Sequence, residues 1–253
     1  MIWGYKVGAG GKPPVPIRLE VADYCHALIT GASGSGKSYA LVYLEGTLLQ
    51  SDPDTEIYFC DFKNSTDFAF MSGYSRYYAG DDCYEGVFGY YESFCNSRKA
   101  GRNNRRRLLI FDEYPAFINY LTTKDKADKT KKANDVIGMI AEILMLGRGI
   151  QYGVWIVTQR ADASLFANGA RDNFMVVVGL GRMSREQKGM IFAGEDLPDK
   201  IFQRGEGMLL ADGHEILEVK YPKINGLNNW KYHIKAILQK YESIDSGQDT
   251  PKA

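Results

Sequence analysis

The stretch that decides the fold is Gly31-Ala-Ser-Gly-Ser-Gly-Lys-Ser38, a complete match to the pattern G-x-x-x-x-G-K-[ST]. An apolar run at residues 25–30 precedes it, and leucines at helical spacing follow it over residues 37–50. Glycines let the backbone curl so that successive N–H groups point at phosphate oxygens, and the following helix offers its positive end to the same anion. The stretch therefore predicts a phosphate-binding loop between a strand and a helix.

Each residue of this loop is a candidate nucleotide contact. The predicted contacts are Gly31, Ala32, Ser33, Gly34, Ser35, Gly36, Lys37, Ser38 and Tyr39. Lys37 is expected to reach the β- and γ-phosphates, and the Ser38 hydroxyl is expected to ligate Mg²⁺. A magnesium-bound nucleoside triphosphate is therefore the expected ligand, and the family resemblance given below implies that it is ATP.

A second motif, Leu-Leu-Ile-Phe-Asp-Glu at residues 108–113, is an apolar strand that ends in two carboxylates. Asp112 is predicted to hold the magnesium ion, and Glu113 is predicted to orient and deprotonate the attacking water. Such a pair favours hydrolysis over nucleotide storage, because binding alone needs no second carboxylate. The alternative is that both acids only cap the helix that follows.

A third buried strand, at residues 154–158, delivers the polar tip Thr158-Gln159-Arg160. In a parallel sheet this tip lies at the same edge as the phosphate loop. Gln159 is therefore a candidate γ-phosphate sensor or water-positioning residue. The alternative is an ordinary turn with solvated side chains.

Strands alternate with helices along the chain, which predicts an α/β fold with a mostly parallel sheet covered by helices on both faces. The predicted strands cover residues 2–7, 25–30, 56–60, 108–111, 154–158 and 174–179. The predicted helices cover residues 37–50, 81–98, 133–146 and 230–241.

We divide the chain into four predicted parts. They are an N-terminal strand and Gly/Pro-rich connector (1–22), the core domain (23–222), a C-terminal amphipathic helix (223–243) and a polar, disordered tail (244–253).

Composition excludes several classes of protein. The 253 residues carry 31 basic and 31 acidic side chains, which argues against a strongly basic nucleic-acid coat. No run is apolar and long enough for a membrane-spanning helix, so no membrane segment is expected. The four cysteines and three histidines lack metal-site spacing, and reduced thiols indicate a cytoplasmic protein.

Taken in order, these motifs resemble the FtsK/SpoIIIE branch of the FtsK–HerA DNA-pumping ATPases. The matching segments are GASGSGKS (31–38), LLIFDEYPAF (108–117), LGRGIQYGVWIVTQRADASLF (146–166), ARDNFMVVVGLG (170–181) and GEGMLL (205–210). Asp61 and Lys63 resemble the Asp-x-Lys of the family's second strand. The resemblance covers about residues 25–210.

This resemblance implies a RecA-like core that assembles as a ring, usually a hexamer, around double-stranded DNA and moves it using ATP. It implies that Gln159 is the polar sensor and that Arg148 occupies the place of an arginine finger. Arg148 has an alternative role as a cation at a helix end. Alternative fingers are Arg160, Arg171, Arg182 and Arg185.

The chain is shorter than the full motors, which carry an additional N-terminal subdomain, a membrane anchor and a DNA-reading module. It resembles the stand-alone forms of plasmids, phages and mobile elements. Targeting is therefore expected to come from partners, such as a relaxase or a membrane-anchored protein.

A lysine-rich segment at residues 124–132 follows the carboxylate pair, at a position that faces the channel in ring motors. The candidate DNA-binding residues are Lys124, Lys126, Lys129, Lys131 and Lys132. Lysines there would grip phosphates without reading sequence, as translocation requires. The alternative is an ordinary solvated loop.

The function predicted from these residues is an ATP-hydrolysing translocase of double-stranded DNA in DNA transfer or segregation. One alternative is a secretion-type ATPase of the same branch that moves polypeptide. Another is a nucleotide-dependent adaptor that recruits a relaxase or replication initiator without turnover.

Overall fold

A computed structural model describes residues 1–6, 13–101, 103, 105–161, 166–198 and 200–245. Residue 7 of the first predicted strand, residues 8–12 of the predicted connector and residues 246–253 of the predicted tail lie outside the described residues.

The structure confirms every predicted strand and helix to within a few residues and adds others. The strands are β1 (Ile2–Lys6), β2 (Val15–Arg18), β3 (His26–Gly31), β4 (Glu56–Asp61), β5 (Tyr77–Ala79), β6 (Arg107–Asp112), β7 (Tyr152–Thr158), β8 (Val176–Leu180), β9 (Glu206–Ala211) and β10 (Leu217–Lys220). The α-helices are α1 (Lys37–Ser51), α2 (Cys83–Ala100), α3 (Tyr114–Asp128), α4 (Lys132–Leu146), α5 (Arg185–Ile191) and α6 (Leu227–Asp245).

Ten strands form one sheet in the order β2-β1-β10-β9-β8-β3-β7-β6-β4-β5. The run from β8 to β5 is parallel, whereas β9, β10, β1 and β2 extend it by antiparallel pairing. The predicted α/β class with a mostly parallel sheet is confirmed. The prediction missed β2, β5, β9, β10, α3 and α5, most of which are short or lack a simple apolar period.

Helices cover both faces of the sheet, as predicted. Successive side chains of β7 point to opposite faces of the sheet and so belong to two hydrophobic cores. Trp155 and Val157 lie in one core, and Val154 and Ile156 lie in the other. Helices α1 and α6 pack on the first face, and α2, α3 and α4 pack on the second. Every residue of β7 is buried, which explains why its sequence is rich in β-branched residues and does not alternate between apolar and charged side chains.

Helix α6 docks on α1, the helix that follows the phosphate loop. The Trp230 indole donates a hydrogen bond to the Val42 carbonyl at 2.9 Å and stacks on Tyr43. Gly46 makes room for it, because a Cβ at that position would lie 2.2 Å from the indole ring. The C-terminal helix therefore packs directly against the element that carries the nucleotide-site residues.

None of the helices formed by the described residues is both long and apolar enough to cross a membrane.

Candidate active site

The phosphate loop joins the carboxyl end of β3 to the first turn of α1. Gly36 directly precedes α1 with φ at 99°, a left-handed conformation that favours glycine. A Cβ there would lie 3.1 Å from the Gly205 nitrogen, which itself donates to the Ser35 carbonyl at 2.8 Å. The loop is therefore held in its curl by the turn that leads into β9.

Lys37 lies across the inside of this curl. Its ammonium donates to the carbonyl oxygens of Gly31 at 2.6 Å and Ala32 at 3.1 Å. Burial lowers its pKa from the usual lysine value. The Ser35 hydroxyl is buried and has no hydrogen-bond partner among the described residues. The Lys37 ammonium lines the same cavity as Ser33, Gly34 and Gly36 of the loop, and a cation beside a glycine-rich loop suits an anion with several oxygen atoms.

Three parallel strands bring the other candidate residues to the same edge. Asp61 of β4 pairs in register with Asp112 of β6, and Asp112 pairs with Val157 of β7. Asp112 is 5% exposed, and its pKa is raised to about 7 by burial, with the carboxylates of Glu113 and Asp61 adding to the effect. A nearby cation would therefore stabilise the charged form of Asp112.

Glu113 sits at the left-handed φ of 61° immediately after β6, and its N–H donates to the Val157 carbonyl at 3.0 Å. Its side chain does not cap α3. Instead, its Oε1 accepts hydrogen bonds from Lys63 Nζ at 2.6 Å and Gln159 Nε2 at 3.0 Å. The capping alternative therefore fails for Glu113, and its carboxylate faces the pocket.

A cavity of about 390 Å³ connects these groups. Of the predicted residues, those that line it are Ser33, Gly34, Gly36, Lys37, Ser38, Tyr39, Asp112, Glu113 and Gln159. The remaining loop residues, Gly31, Ala32 and Ser35, belong to the loop but are not among the described lining residues. The structure thus brings the three sequence motifs together.

Tyr39 lines the cavity and also makes a structural contact. Its hydroxyl donates to the Pro222 carbonyl at 3.3 Å and accepts from the Ile224 N–H. Its hydroxyl therefore ties α1 to the segment that precedes α6.

Further lining residues were missed by the sequence prediction of the site. They are Val42, Lys63, Ser65, Asp67, Arg204, Leu227 and Lys231. The sequence could have indicated Lys63 as a site residue, because it lies two residues beyond β4 and so at the carboxyl edge of the sheet. Arg204 and Lys231 come from distant segments of the chain, and no local pattern in the sequence indicates them.

The donor set fits a magnesium nucleotide better than an independent metal. Ser38 and Asp112 both line the cavity, and a magnesium ion there would find one side-chain oxygen group on each. No group of three or more His, Cys, Asp or Glu side chains in the described part of the chain is placed to hold a metal. A magnesium ion here would therefore take its remaining ligands from phosphate oxygens and water, which is its common mode of binding.

Arg148 lies at the opposite edge of the sheet. It belongs to a 3₁₀ turn (Arg148–Ile150) just before β7, and its guanidinium is 3.6 Å from the Asp23 carboxylate. Seven residues of β7 separate this edge from Gln159, a distance of roughly 20 Å along an extended strand. Arg148 therefore stays outside the cavity of its own chain.

The segment at residues 124–132 is mostly helical, whereas the alternative weighed from the sequence was a solvated loop. Lys124 and Lys126 lie in the last turns of α3, Lys129 ends that helix in a left-handed conformation, and Lys132 begins α4. The Asp125 carboxylate fixes the turn by accepting from the N–H groups of Lys132 at 2.9 Å and Ala133 at 2.8 Å. The alternative of an ordinary loop fails, because the Asp125 carboxylate caps α4 and leaves only a tight turn between the two helices.

No family-level sequence profile matches the chain. YdcQ of Bacillus subtilis (strain 168), described as an FtsK domain-containing protein, is 36% identical over 85 residues. Those residues make up 34% of this chain and 16% of YdcQ. The chain is similar to the FtsK-type ATPases.

Several solved structures have a similar fold. EssC (ATPases 2 and 3) of Geobacillus thermodenitrificans aligns with a TM-score of 0.67 at 13% identity, over 98% of this chain and 50% of that one. The pCW3 conjugation coupling protein TcpA, solved with ATPγS, aligns with a TM-score of 0.69 at 17% identity, over 94% and 70%. The type VII secretion ATPase EccC of Thermomonospora curvata gives a TM-score of 0.61 at 18% identity, over 94% and 30%.

The chain therefore has the RecA-like fold of P-loop ATPase domains, and the predicted resemblance is confirmed. It spans a small part of YdcQ and about half of the EssC chain.

The raised pKa of Asp112 predicts a pH-dependent effect of Asp112→Asn on the nucleotide-free protein. Between about pH 4 and pH 7, folded Asp112 keeps a proton that the unfolded chain releases, so the wild type loses stability as the pH rises through this range. We expect Asp112→Asn to be more stable than wild type at pH 8, by on the order of 1–3 kcal/mol.

Urea denaturation at pH 8, 6 and 4 measures this difference, which should shrink as the pH falls. Asp54→Asn, at an exposed position, is the control. A difference that is the same at all three pH values would contradict the assignment of the raised pKa to Asp112.

Proposed function

We propose that this chain is an ATPase that couples ATP hydrolysis to the movement of double-stranded DNA, in DNA transfer or segregation. The observation that carries the ATPase part is the convergence of Lys37, Asp112, Glu113 and Gln159 around one cavity. Phosphoryl transfer to water requires a cation that binds the phosphates, a carboxylate that holds the metal, a carboxylate that activates the water and a polar sensor of the γ-phosphate.

In this proposal Glu113 acts as the general base. Its carboxylate takes a proton from a water molecule while the water oxygen bonds to the γ-phosphorus of ATP. The bond from that phosphorus to the bridging oxygen breaks, and its electron pair leaves with ADP. Lys37 and the loop N–H groups bind the phosphates, and bound Mg²⁺ would offset their negative charge.

Glu113→Gln tests the enzymatic role, because glutamine keeps the shape of the side chain but cannot accept the proton. We expect phosphate release to fall on the order of a hundredfold or more, while ATPγS binding stays close to wild type. Phosphate release and nucleotide titration measure the two effects. If wild type and Glu113→Gln release phosphate at the same low rate, the chain acts instead as the nucleotide-dependent adaptor.

We also propose that the active form is a homo-oligomeric ring, with Arg148 completing the neighbouring subunit's site. The support is positional, because Arg148 lies half-exposed at the edge of the sheet opposite its own cavity. A guanidinium there meets a nucleotide only if a second copy presents its cavity to this edge. A hexamer is the ring size expected from the resemblance.

Subunit mixing tests this arrangement. Arg148→Ala alone should bind ATP but not hydrolyse it, and Lys37→Ala alone should do neither. In a one-to-one mixture, roughly one interface in four pairs an intact loop with an intact Arg148, so part of the activity should return. A mixture as inactive as either variant alone would contradict a role for Arg148 in the neighbouring site.

The proposed DNA contact is the lysine surface formed by Lys124, Lys126, Lys129, Lys131 and Lys132, all of which are exposed. Two of them also support the fold. Lys124 pairs with Asp81 at 2.8 Å and lies over the Tyr120 ring, and Lys132 lies over the Tyr84 ring. Lys126, Lys129 and Lys131 are therefore the better positions at which to test DNA binding without disturbing α3 and α4.

Neutralising Lys126, Lys129 and Lys131 to glutamine should weaken duplex binding for all sequences alike. The slope of log affinity against log salt should become shallower by roughly 0.9 for each lost phosphate contact. Binding titrations at several salt concentrations measure this. A variant with Lys200, Lys220 and Lys223 changed to glutamine is the control, because it loses the same number of positive charges outside the proposed contact.

The main alternative substrate is polypeptide. Its specific support is the similarity of fold to the secretion ATPases EssC and EccC, one EccC structure having been solved with a signal sequence peptide. Stimulation of hydrolysis by duplex DNA at low salt, lost at high salt, would favour DNA. Unchanged duplex affinity in the triple lysine variant, without such stimulation, would favour polypeptide.

A cytoplasmic location and a relaxase or membrane-anchored partner remain predictions.

A further inference from the structure

The Glu113 carboxylate is held asymmetrically. Lys63 and Gln159 both donate to the same oxygen, Oε1, and each lies just beyond one of the two strands that flank β6. No hydrogen bond joins Oε2 to another residue in the described part of the chain. One oxygen of the carboxylate is therefore fixed by two donors, while the other is left as a free acceptor at the wall of the cavity.

The turn that carries Lys63 is tightly built. The Asp61 carboxylate accepts from the Ser65 N–H at 2.7 Å and from the Tyr77 hydroxyl at 3.0 Å. Asn64 takes a left-handed φ of 51°, and its N–H donates to the Asp61 carbonyl at 3.1 Å. The backbone of Lys63 is therefore placed by its neighbours on both sides.

Packing on α3 holds the same turn from outside. The ring of Phe62 lies 5.3 Å from those of Phe117 and Tyr120. Because α3 starts directly after Glu113, the turn with Lys63 and the residue that Lys63 contacts are fixed to the same helix. The ion pair between Lys63 and Glu113 thus joins two rigid segments.

The ion pair is unlike an ordinary surface contact. The Lys63 side chain is 48% exposed, whereas that of Glu113 is only 9% exposed. Removing Lys63 would remove little buried surface, yet it would leave a nearly buried carboxylate with a single remaining donor on its fixed oxygen. The consequence is expected in the orientation of Glu113 more than in the stability of the fold.

We propose that Lys63 is a positioning residue for hydrolysis. Its ammonium, together with the Gln159 amide, fixes Oε1 of Glu113 so that Oε2 faces the water and accepts its proton. This inference rests on the proposed ATPase function. It assigns to Lys63 a contact with the base, in place of a direct contact with the γ-phosphate.

The experiment compares steady-state ATP hydrolysis by the wild-type chain, Lys63→Met and Lys63→Arg. Methionine keeps the length of the side chain without its donor, and we expect kcat to fall about tenfold to a hundredfold with KM for ATP nearly unchanged. Arginine still offers a charged donor to a carboxylate oxygen, so it should recover part of the loss. Lys200→Met is the matched control, since Lys200 also forms an exposed ion pair, 2.7 Å from Glu218.

A double variant separates the two possible roles of Lys63. If Lys63 acts through Glu113, adding Lys63→Met to Glu113→Gln should have almost no further effect. Single-turnover phosphate release by the double variant should be slower than that of Glu113→Gln by less than about twofold. A raised KM with unchanged kcat, or a full additional loss in the double variant, would overturn the inference in favour of direct phosphate binding.

The outcomes also separate this inference from the function on which it rests. A wild type without turnover contradicts the proposed ATPase and this inference with it. If the wild type hydrolyses ATP and Lys63→Met does so equally fast, only the inferred role of Lys63 is contradicted.

Discussion

Parallel pairing of β3, β7, β6 and β4 places the carboxyl ends of four strands along one edge of the sheet, and the catalytic candidates that line the cavity depend on that alignment. Each strand end supplies a different group: the phosphate loop from β3, Asp112 and Glu113 from β6, Gln159 from β7 and Lys63 from the turn after β4. In an antiparallel sheet the ends of neighbouring strands would alternate between the two edges. The parallel register thus turns separate motifs into one cavity.

The same alignment concentrates charge in a poorly solvated place. Asp61, Asp112 and Glu113 are all buried, and the charges of Lys37 and Lys63 act on Asp112. Burial raises the pKa of Asp112 and lowers that of Lys37, so both groups are less stable in their charged forms than they would be in water. A ligand that brings both phosphate and a cation relieves the two effects together, which is why this pocket suits a metal-bound nucleotide.

Local sequence patterns predicted the parts of the molecule whose chemistry is local. The glycine loop, the apolar strands with polar ends and the amphipathic helices each follow from short-range rules of backbone conformation and burial. The same rules did not decide the structure of the segment at residues 124–132. There the charged composition left a solvated loop open as the alternative, but the Asp125 side chain caps α4 and leaves a tight turn between two helices.

The sequence by itself determined the chemistry available to this protein: a phosphate loop, two carboxylates and a polar strand tip in the order of FtsK-type ATPases. The tertiary structure decided which side chains meet. It paired Lys63 with Glu113, brought Arg204 and Lys231 to the cavity from distant segments, and set Arg148 at the far edge of the sheet. The reason is physical, since motif chemistry depends on neighbours in the chain, whereas these contacts depend on strand order and register.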